Sequence, residues 1–110
     1  MAKFEVYPAK NGEYYFRLKA GNGQVILTSE GYKQKASALN GVESVQKNAA
    51  DDSKFEKKTA ANGKFHFNLK ATNGQIIGSS QMYTTEDSRD NGIESVQKNA
   101  PVAEIEQVEE

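Results

Sequence analysis

The side chains that could carry out acid–base chemistry are few. The single histidine, His66, stands between Phe65 and Phe67. Neighbouring residues of a strand point to opposite faces, so His66 should face away from the two phenylalanines and toward solvent. A general base needs a nucleophile or a carboxylate within reach, and the sequence spacing places neither beside it. We therefore expect an exposed surface histidine without a catalytic role.

Other motifs of catalysis and cofactor binding are missing from the sequence. The chain has no cysteine, and one histidine alone cannot form a zinc-binding pair. No serine lies in a Gly-x-Ser-x-Gly setting, and Gly21-Asn22-Gly23 is too short to hold a phosphate ahead of a helix. The acidic residues Glu86, Asp87 and Asp90 are typical of a helix start and a solvated helix face. We expect no catalytic residue, no metal site and no cofactor; an enzyme whose site assembles from dispersed residues is the alternative.

Two segments alternate between apolar and polar side chains. In the first, Tyr14, Phe16, Leu18 and Ala20 alternate with polar residues, and Phe65, Phe67, Leu69 and Ala71 repeat the pattern. A period of two predicts half-buried strands. Their exposed face should carry six residues: Tyr15, Arg17, Lys19, His66, Asn68 and Lys70. A basic and partly aromatic sheet face can stack single-stranded bases and bind phosphates, although any solvated sheet face requires the same alternation.

These segments belong to a tandem repeat. Residues from Lys3 to Ala49 align with residues about 51 positions later, and both copies end in Glu-Ser-Val-Gln-Lys-Asn-Ala. Asn-Gly pairs flank the central strand of each copy and favour tight hairpins. We predict antiparallel strands at about 3 to 9, 13 to 20 and 24 to 30, and again at about 54 to 60, 64 to 71 and 75 to 80. The copies, 1–51 and 52–110, should form one domain together.

A helical period follows the third strand of each copy. It is carried by apolar residues at Ala38, Val42, Val45, Ile93 and Val96. Thr84 or Thr85 should cap the second helix. Gly41 and Gly92 lie inside these helices, where glycine costs about 1 kcal/mol relative to alanine. We expect each glycine to let its helix press on the sheet or on the other helix; a ligand contact is the alternative.

The arrangement resembles the YegP-like proteins, a bacterial family of unknown function. The resemblance covers nearly the whole chain and rests on the strand 14–20, the turn 22–23, Tyr32 and the segment 40–49, with their equivalents in copy two. It implies that two units form one continuous sheet and exchange their final strands. Copy two departs at Lys57, Lys58 and Thr59, so its first strand should be more exposed or differently paired. The family has no catalytic motif to carry over.

These patterns together predict an α+β domain. One antiparallel sheet of six to eight strands should carry two helices on one face, and a pseudo-two-fold axis should relate the copies. After Pro101, Ala103 and Ile105 alternate with Glu104 and Glu106, which predicts an edge strand at about 103 to 108. A frayed tail is the alternative, because the segment is acidic.

Length and charge set the remaining expectations. The chain of 110 residues suits one domain, and its net charge of -1 draws neither nucleic acid nor an anionic membrane to the whole molecule. No signal-like stretch follows Met1 and no apolar run could span a bilayer, so we expect a cytoplasmic monomer whose copies act as an internal pseudo-dimer. The expected function is a non-enzymatic binding module with no partner named by the sequence. A weak single-strand nucleic-acid binder is the rival.

Overall fold

A computed structural model describes residues 2–108. The elements are β1 (Lys3–Pro8), β2 (Tyr14–Lys19), β3 (Val25–Thr28), α1 (Lys35–Asn48), β4 (Phe55–Thr59), β5 (Phe65–Lys70), β6 (Ile76–Ser79), α2 (Glu86–Asn99) and β7 (Glu104–Gln107). Short 3-10 turns follow the helices at Asp52–Lys54 and Ala100–Val102. Every predicted strand and helix is present, with the six hairpin strands ending one or two residues inside the predicted bounds. The predicted outer limits of the copies, at Met1 and at 109–110, lie outside the described residues.

All seven strands belong to one sheet in the order β4-β5-β6-β3-β2-β1-β7. Neighbouring strands within each copy are antiparallel. The copies join where β3 runs antiparallel to β6, with Thr28 opposite Ser79. β7 follows the helix of copy two but lies parallel to β1 of copy one, with Ile105 opposite Phe4. The predicted exchange of the last strand is therefore confirmed, and its parallel direction is a departure from the purely antiparallel prediction.

The core lies between the sheet and the two helices. Phe16 and Leu18 of β2 and their equivalents Phe67 and Leu69 of β5 are fully buried on the helix side. Val42 and Val45 of α1 and Val96 of α2 are also fully buried and belong to the same cluster. Apolar residues at every second strand position and on one stripe of each helix thus meet in a single layer. This packing confirms the strand facing predicted from the alternation.

Each helix approaches the sheet closely at its internal glycine. A Cβ atom added at Gly41 would lie 2.6 Å from Tyr32 Oη and 2.7 Å from Phe16 Cε2. One added at Gly92 would lie 2.5 Å from Tyr83 Oη. The rings of Phe16 and Tyr32 are stacked with centroids 6.2 Å apart. Close packing of helix on aromatic rings therefore accounts for the two glycines, as the first of the two interpretations predicted.

The helix starts and hairpin turns follow the local sequence. The Thr85 hydroxyl accepts a hydrogen bond from the Ser88 N–H at 3.1 Å and caps α2. α1 begins after Gln34 without a side-chain cap. The Asn-Gly turns on both sides of β2 have φ of 85° at Gly12 and Gly23, a conformation that favours glycine. Within residues 2–108, neither helix is long and apolar enough to cross a membrane.

Candidate functional site

A cluster of charges surrounds Glu5 on the sheet face turned away from the helices, called here the open face. Glu5 is 5% exposed. Its Oε1 accepts a hydrogen bond from Arg17 Nε at 2.7 Å and lies 3.1 Å from Lys19 Nζ. Lys3 Nζ lies 3.5 Å from the other carboxylate oxygen. Burial raises the pKa of Glu5, but hydrogen bonds from Arg17 and Lys19 outweigh it and hold the pKa below its ordinary value.

Beside this cluster, Tyr7, Tyr15 and Arg17 form a stacked column. The two tyrosine rings are 6.0 Å apart at 20°, and Arg17 Cζ lies 4.4 Å from the centroid of the Tyr7 ring. Asn11 Nδ2 donates a hydrogen bond to Tyr15 Oη at 3.2 Å. The aromatic and cationic groups of copy one therefore already contact each other, and an incoming base would compete with these contacts.

In copy two, Glu56 occupies the position of Glu5. Its Oε2 lies 2.9 Å from Lys70 Nζ and 3.8 Å from Lys58 Nζ. Lys70 first, and then Asn68, holds the pKa of Glu56 below its ordinary value by hydrogen bonding to the carboxylate. Asn68 is 8% exposed and donates to Glu56 Oε1 at 3.2 Å. Glu56 thus connects Asn68, Lys58 and Lys70 in this half.

The six residues predicted on the open face lie there in two separate groups. Tyr15, Arg17 and Lys19 belong to β2, whereas His66, Asn68 and Lys70 belong to β5, and β3 and β6 stand between them. The structure therefore does not bring the six into one site. Sequence reasoning missed Glu5 and Glu56, which pair with the cations of each group. Extending the period of two into β1 and β4 could have found both.

The free edge of β4 is a second candidate site. Among residues 2–108, no strand pairs with the outer side of β4. A groove of about 380 Å³ lies next to this edge, between β4 and α2. Phe55 and Ile93 supply its apolar lining, and the polar residues around it are Asp52, Lys57, Asp90, Glu94 and Gln97. Sequence reasoning did not find this groove, although the exposure predicted for Lys57, Lys58 and Thr59 is confirmed.

Two polar contacts connect β4 and the turn before it to α2. Lys57 Nζ lies 3.2 Å from Asp90 Oδ1, and the hydrogen bond from Lys57 holds the pKa of Asp90 below its ordinary value. Gln97 Nε2 donates to Asp52 Oδ1. Between these contacts the apolar surface of Phe55 and Ile93 lines the groove. Within the described part of the chain, no three His, Asp or Glu side chains are grouped to hold a metal ion.

At the corresponding edge of copy one, β7 lies along β1. Val108 N–H donates to the carbonyl of Val6 at 2.8 Å, so the backbone of Val6 faces β7. Phe4 and Val6 are 0% and 1% exposed. Lys57 stands at the position of Val6 in copy two. The two edges are equivalent in sequence position, yet one is paired and the other is open.

Comparison with known proteins finds a family model that matches each copy and relatives that align over most of the chain. The family described as "Domain of unknown function (DUF1508)" matches residues 9–56 and 60–107. A UPF0339 protein in the ptx operon 5' region of Stutzerimonas stutzeri is 59% identical over 105 residues, which is 96% of this chain and 95% of that protein. The UPF0339 protein YegP of Escherichia coli is 56% identical over 96 residues, 87% of each chain.

Two solution NMR structures show the same fold. A UPF0339 protein from Shewanella oneidensis superposes with a TM-score of 0.93 at 48% identity, over 98% of this chain and 92% of that one. The protein of unknown function yegP from E. coli also gives a TM-score of 0.93, at 50% identity, over 98% of this chain and 93% of that one. The family model, the relatives and the solved structures all agree. The chain therefore belongs to the DUF1508 family and contains two copies of its domain.

Proposed function

We propose that this protein is a non-enzymatic interaction module that binds an extended segment of a partner polypeptide along the free edge of β4. The supporting observation is the difference between the two ends of the sheet: β7 lies on β1, while no strand from residues 2–108 covers the equivalent edge of β4. An unpaired edge presents backbone N–H and C=O groups with which an added strand can pair. Pairing would supply affinity, and the groove would supply side-chain specificity.

The groove suits alternate side chains of such a strand. Its volume of about 380 Å³ is at the small end of the range typical of small-molecule sites, about 300–1,000 Å³. It runs beside β4, so a segment paired with that strand would place every second side chain in it. Phe55 and Ile93, 9% and 7% exposed, would gain cover from an apolar side chain.

The residues of β4 favour a partner strand from a different protein over one from a second molecule of this protein. The strand has five residues and carries Lys57 and Lys58, and short length and lysines both limit indiscriminate pairing at an edge. Two β4 strands pairing with each other would bring these lysines together. Like charges at a pairing interface are destabilising. The monomeric state predicted from the sequence stays a prediction, which sedimentation can test.

A peptide selection tests strand addition at β4. We expect decapeptides selected from a random library on the immobilised protein to shift the backbone amide resonances of β4 and of α2 at Ile93 and Gln97. Lys57→Pro should abolish this binding. The backbone of Val6, the equivalent residue, faces the added strand, and a proline at Lys57 removes the matching N–H without removing a bond to β5.

The matched control keeps the N–H of residue 57. Lys57→Ala loses the ion pair with Asp90 but can still donate to an added strand, so it should bind selected peptides within a few-fold of the wild type. Both variants should retain the wild-type amide spectrum outside β4. A library that yields no peptide shifting β4, or equal binding by Lys57→Pro and Lys57→Ala, would contradict the proposal.

We keep single-stranded nucleic acid on the open face as a second candidate. The stacked column of Tyr7, Tyr15 and Arg17 favours it, because base stacking on aromatic rings contributes about 1–3 kcal/mol per base. The carboxylates of Glu5 and Glu56 oppose it by neutralising nearby cations. If this candidate is correct, the affinity for mixed-sequence oligonucleotides, measured by fluorescence anisotropy, should fall steeply as salt is added. Tyr15→Ala should also weaken binding. A flat titration at low salt would remove it.

A further inference from the structure

The pairing of β7 with β1 shows which side chains an added strand presents on this kind of edge. Ile105 lies opposite Phe4 on the helix side. Glu106 lies on the open face, where its Oε2 is 3.4 Å from Lys3 Nζ. Gln107 Oε1 accepts a hydrogen bond from Lys35 Nζ at the start of α1, at 3.2 Å. Acidic residues therefore face the open side and uncharged residues face the helices.

Within residues 2–108, the open face of copy one has one more ion-paired carboxylate than that of copy two. In copy one, Lys3, Arg17 and Lys19 surround Glu5, and β7 adds Glu106 beside Lys3.

In copy two, Lys54 stands at the position of Lys3 and Lys70 at that of Lys19. Glu56 pairs with Lys70 and Lys58, while Lys54 Nζ contacts the hydroxyl of Thr72 at 3.4 Å. Among residues 2–108, Glu56 is the only carboxylate that forms an ion pair with Lys58 or Lys70. Lys54 forms no ion pair within this range and acts on the Asp51 carboxylate only through space. The cationic side of β4 therefore lacks the counterpart of Glu106.

The helix side of the β4 edge has the opposite character. Phe55 and Ile93 form its apolar part, and Asp90 and Glu94 of α2 border it. An acidic side chain entering the groove would meet these carboxylates, whereas an aliphatic one would cover Phe55. The two sides of β4 therefore select different side chains at alternate positions of an added strand.

We propose that the partner segment bound at β4 alternates acidic and aliphatic residues, with the acidic ones toward Lys54 and Lys58 and the aliphatic ones in the groove over Phe55 and Ile93. The inference rests on the proposed function and adds the chemistry of the partner. By analogy with β7 on β1, the segment lies parallel to β4. The segment comes from another protein, because β7 of every molecule of this protein is already paired with β1 of the same molecule.

A peptide with the sequence of residues 102–108, Val-Ala-Glu-Ile-Glu-Gln-Val, is a suitable probe. Both ends are capped to remove terminal charges. Added to the isotopically labelled full chain, it should shift β4 and α2 amides saturably. A peptide with lysine in place of both glutamates should bind at least tenfold more weakly. So should a peptide of unchanged composition with its two glutamates adjacent, since adjacent residues cannot both face the lysines.

Charge reversal on the protein tests the same contact from the other side. Lys58→Glu should weaken binding of the acidic peptide at least tenfold and strengthen binding of the peptide that has lysine in place of both glutamates. Lys58 is about half exposed and its contact with Glu56 is 3.8 Å long, so the variant should lower the melting temperature only slightly and keep the wild-type amide spectrum outside β4. Lys10→Glu makes the same charge change in the exposed turn between β1 and β2 and should leave binding of both peptides within twofold.

The outcomes separate this inference from the proposed function. If all three peptides bind β4 equally, the acidic pattern is wrong while strand addition stands. If no peptide, including those of the random library, shifts β4, both are wrong. Shifts confined to β1 and α1 would mean that the probe replaces β7, which overturns the inference. If sedimentation shows that the wild type forms dimers and Lys57→Pro does not, the strand bound at β4 comes from a second molecule of this protein. That result would also overturn the inference.

Discussion

Gly41→Ala should destabilise the protein although alanine is the better helix former. In an exposed helix interior the replacement would stabilise by about 1 kcal/mol. At Gly41 the new methyl group would lie 2.6 Å from Tyr32 Oη and 2.7 Å from Phe16 Cε2, whereas carbon atoms in good contact are about 3.5–4.0 Å apart. Phe16 is fully buried and stacked on Tyr32, so neither ring can move without disturbing the core.

The magnitude follows from these opposing effects. An extra methylene in a well-packed core costs about 1–3 kcal/mol, and subtracting the helix gain of about 1 kcal/mol leaves about 0–2 kcal/mol of net destabilisation. Two atoms closer than 3.0 Å place Gly41 at the upper end, so we expect a loss of about 2 kcal/mol in the free energy of unfolding. Asn40→Ala is the matched control on the exposed side of α1, and it should stabilise by about 0.5 kcal/mol.

Urea unfolding followed by circular dichroism measures both variants. Combining Gly41→Ala with Tyr32→Phe should reduce the loss, because the nearest atom is then missing. Gly92→Ala should behave like Gly41→Ala, since its methyl group would lie 2.5 Å from Tyr83 Oη. If Gly41→Ala raised stability as Asn40→Ala does, the close approach of α1 to the aromatic pair would be wrong.

Three further predictions follow from the core, the charges and the last strand. Phe67→Ala should lower the free energy of unfolding by about 3–5 kcal/mol, whereas Lys70→Ala should lower it by no more than about 1 kcal/mol; thermal melts in the reverse order would contradict the facing of β5. Because the folded pKa of Glu5 is lowered, its stabilising contribution is complete above the unfolded value of about 4.3 and is lost as pH falls through the folded value. The stability difference between the wild type and Glu5→Gln should therefore shrink below about pH 4.3 in acid titrations, and a constant difference would refute this account. Truncation after Ala100 should lower the melting temperature and promote association through the exposed edge of β1, and an unchanged melt would show that β7 contributes no stability.

Local patterns were enough to predict the repeating elements. The period of two around Phe16, the Asn-Gly turns and the hydroxyl before α2 each depend on a few neighbouring residues. The order of the strands depends on contacts between distant parts of the chain. β3 and β6 meet at Thr28 and Ser79, and nothing near either residue encodes that partner. The family resemblance predicted that the last strand pairs with the other copy, whereas only the structure shows that β7 runs parallel to β1.

Arg17 shows what alternation cannot predict about a candidate site. The sequence places Arg17 on a solvated face, which would make its removal nearly neutral. In the structure it donates to Glu5, which is 5% exposed, at 2.7 Å. Leaving a buried acceptor unpaired costs about 1–3 kcal/mol. Glu5 keeps Lys19 at 3.1 Å, so Arg17→Ala should destabilise the protein by about 1 kcal/mol, the lower end of that range. Facing is a local property, whereas the pairing of charges depends on which strands are neighbours.

The open edge of β4 follows from how one chain connects two equivalent units. The chain leaving α1 passes through the turn Asp52–Lys54 directly into β4, so the first helix supplies no strand beyond it. The chain leaving α2 has no third copy to enter within residues 2–108, and it continues as β7 along β1. Two equivalent edges therefore have one added strand between them, and that strand covers only the edge of β1. The uncovered edge carries Lys57 and Lys58 where the covered edge carries Val6 and Tyr7, so the two copies differ in sequence where they differ in pairing.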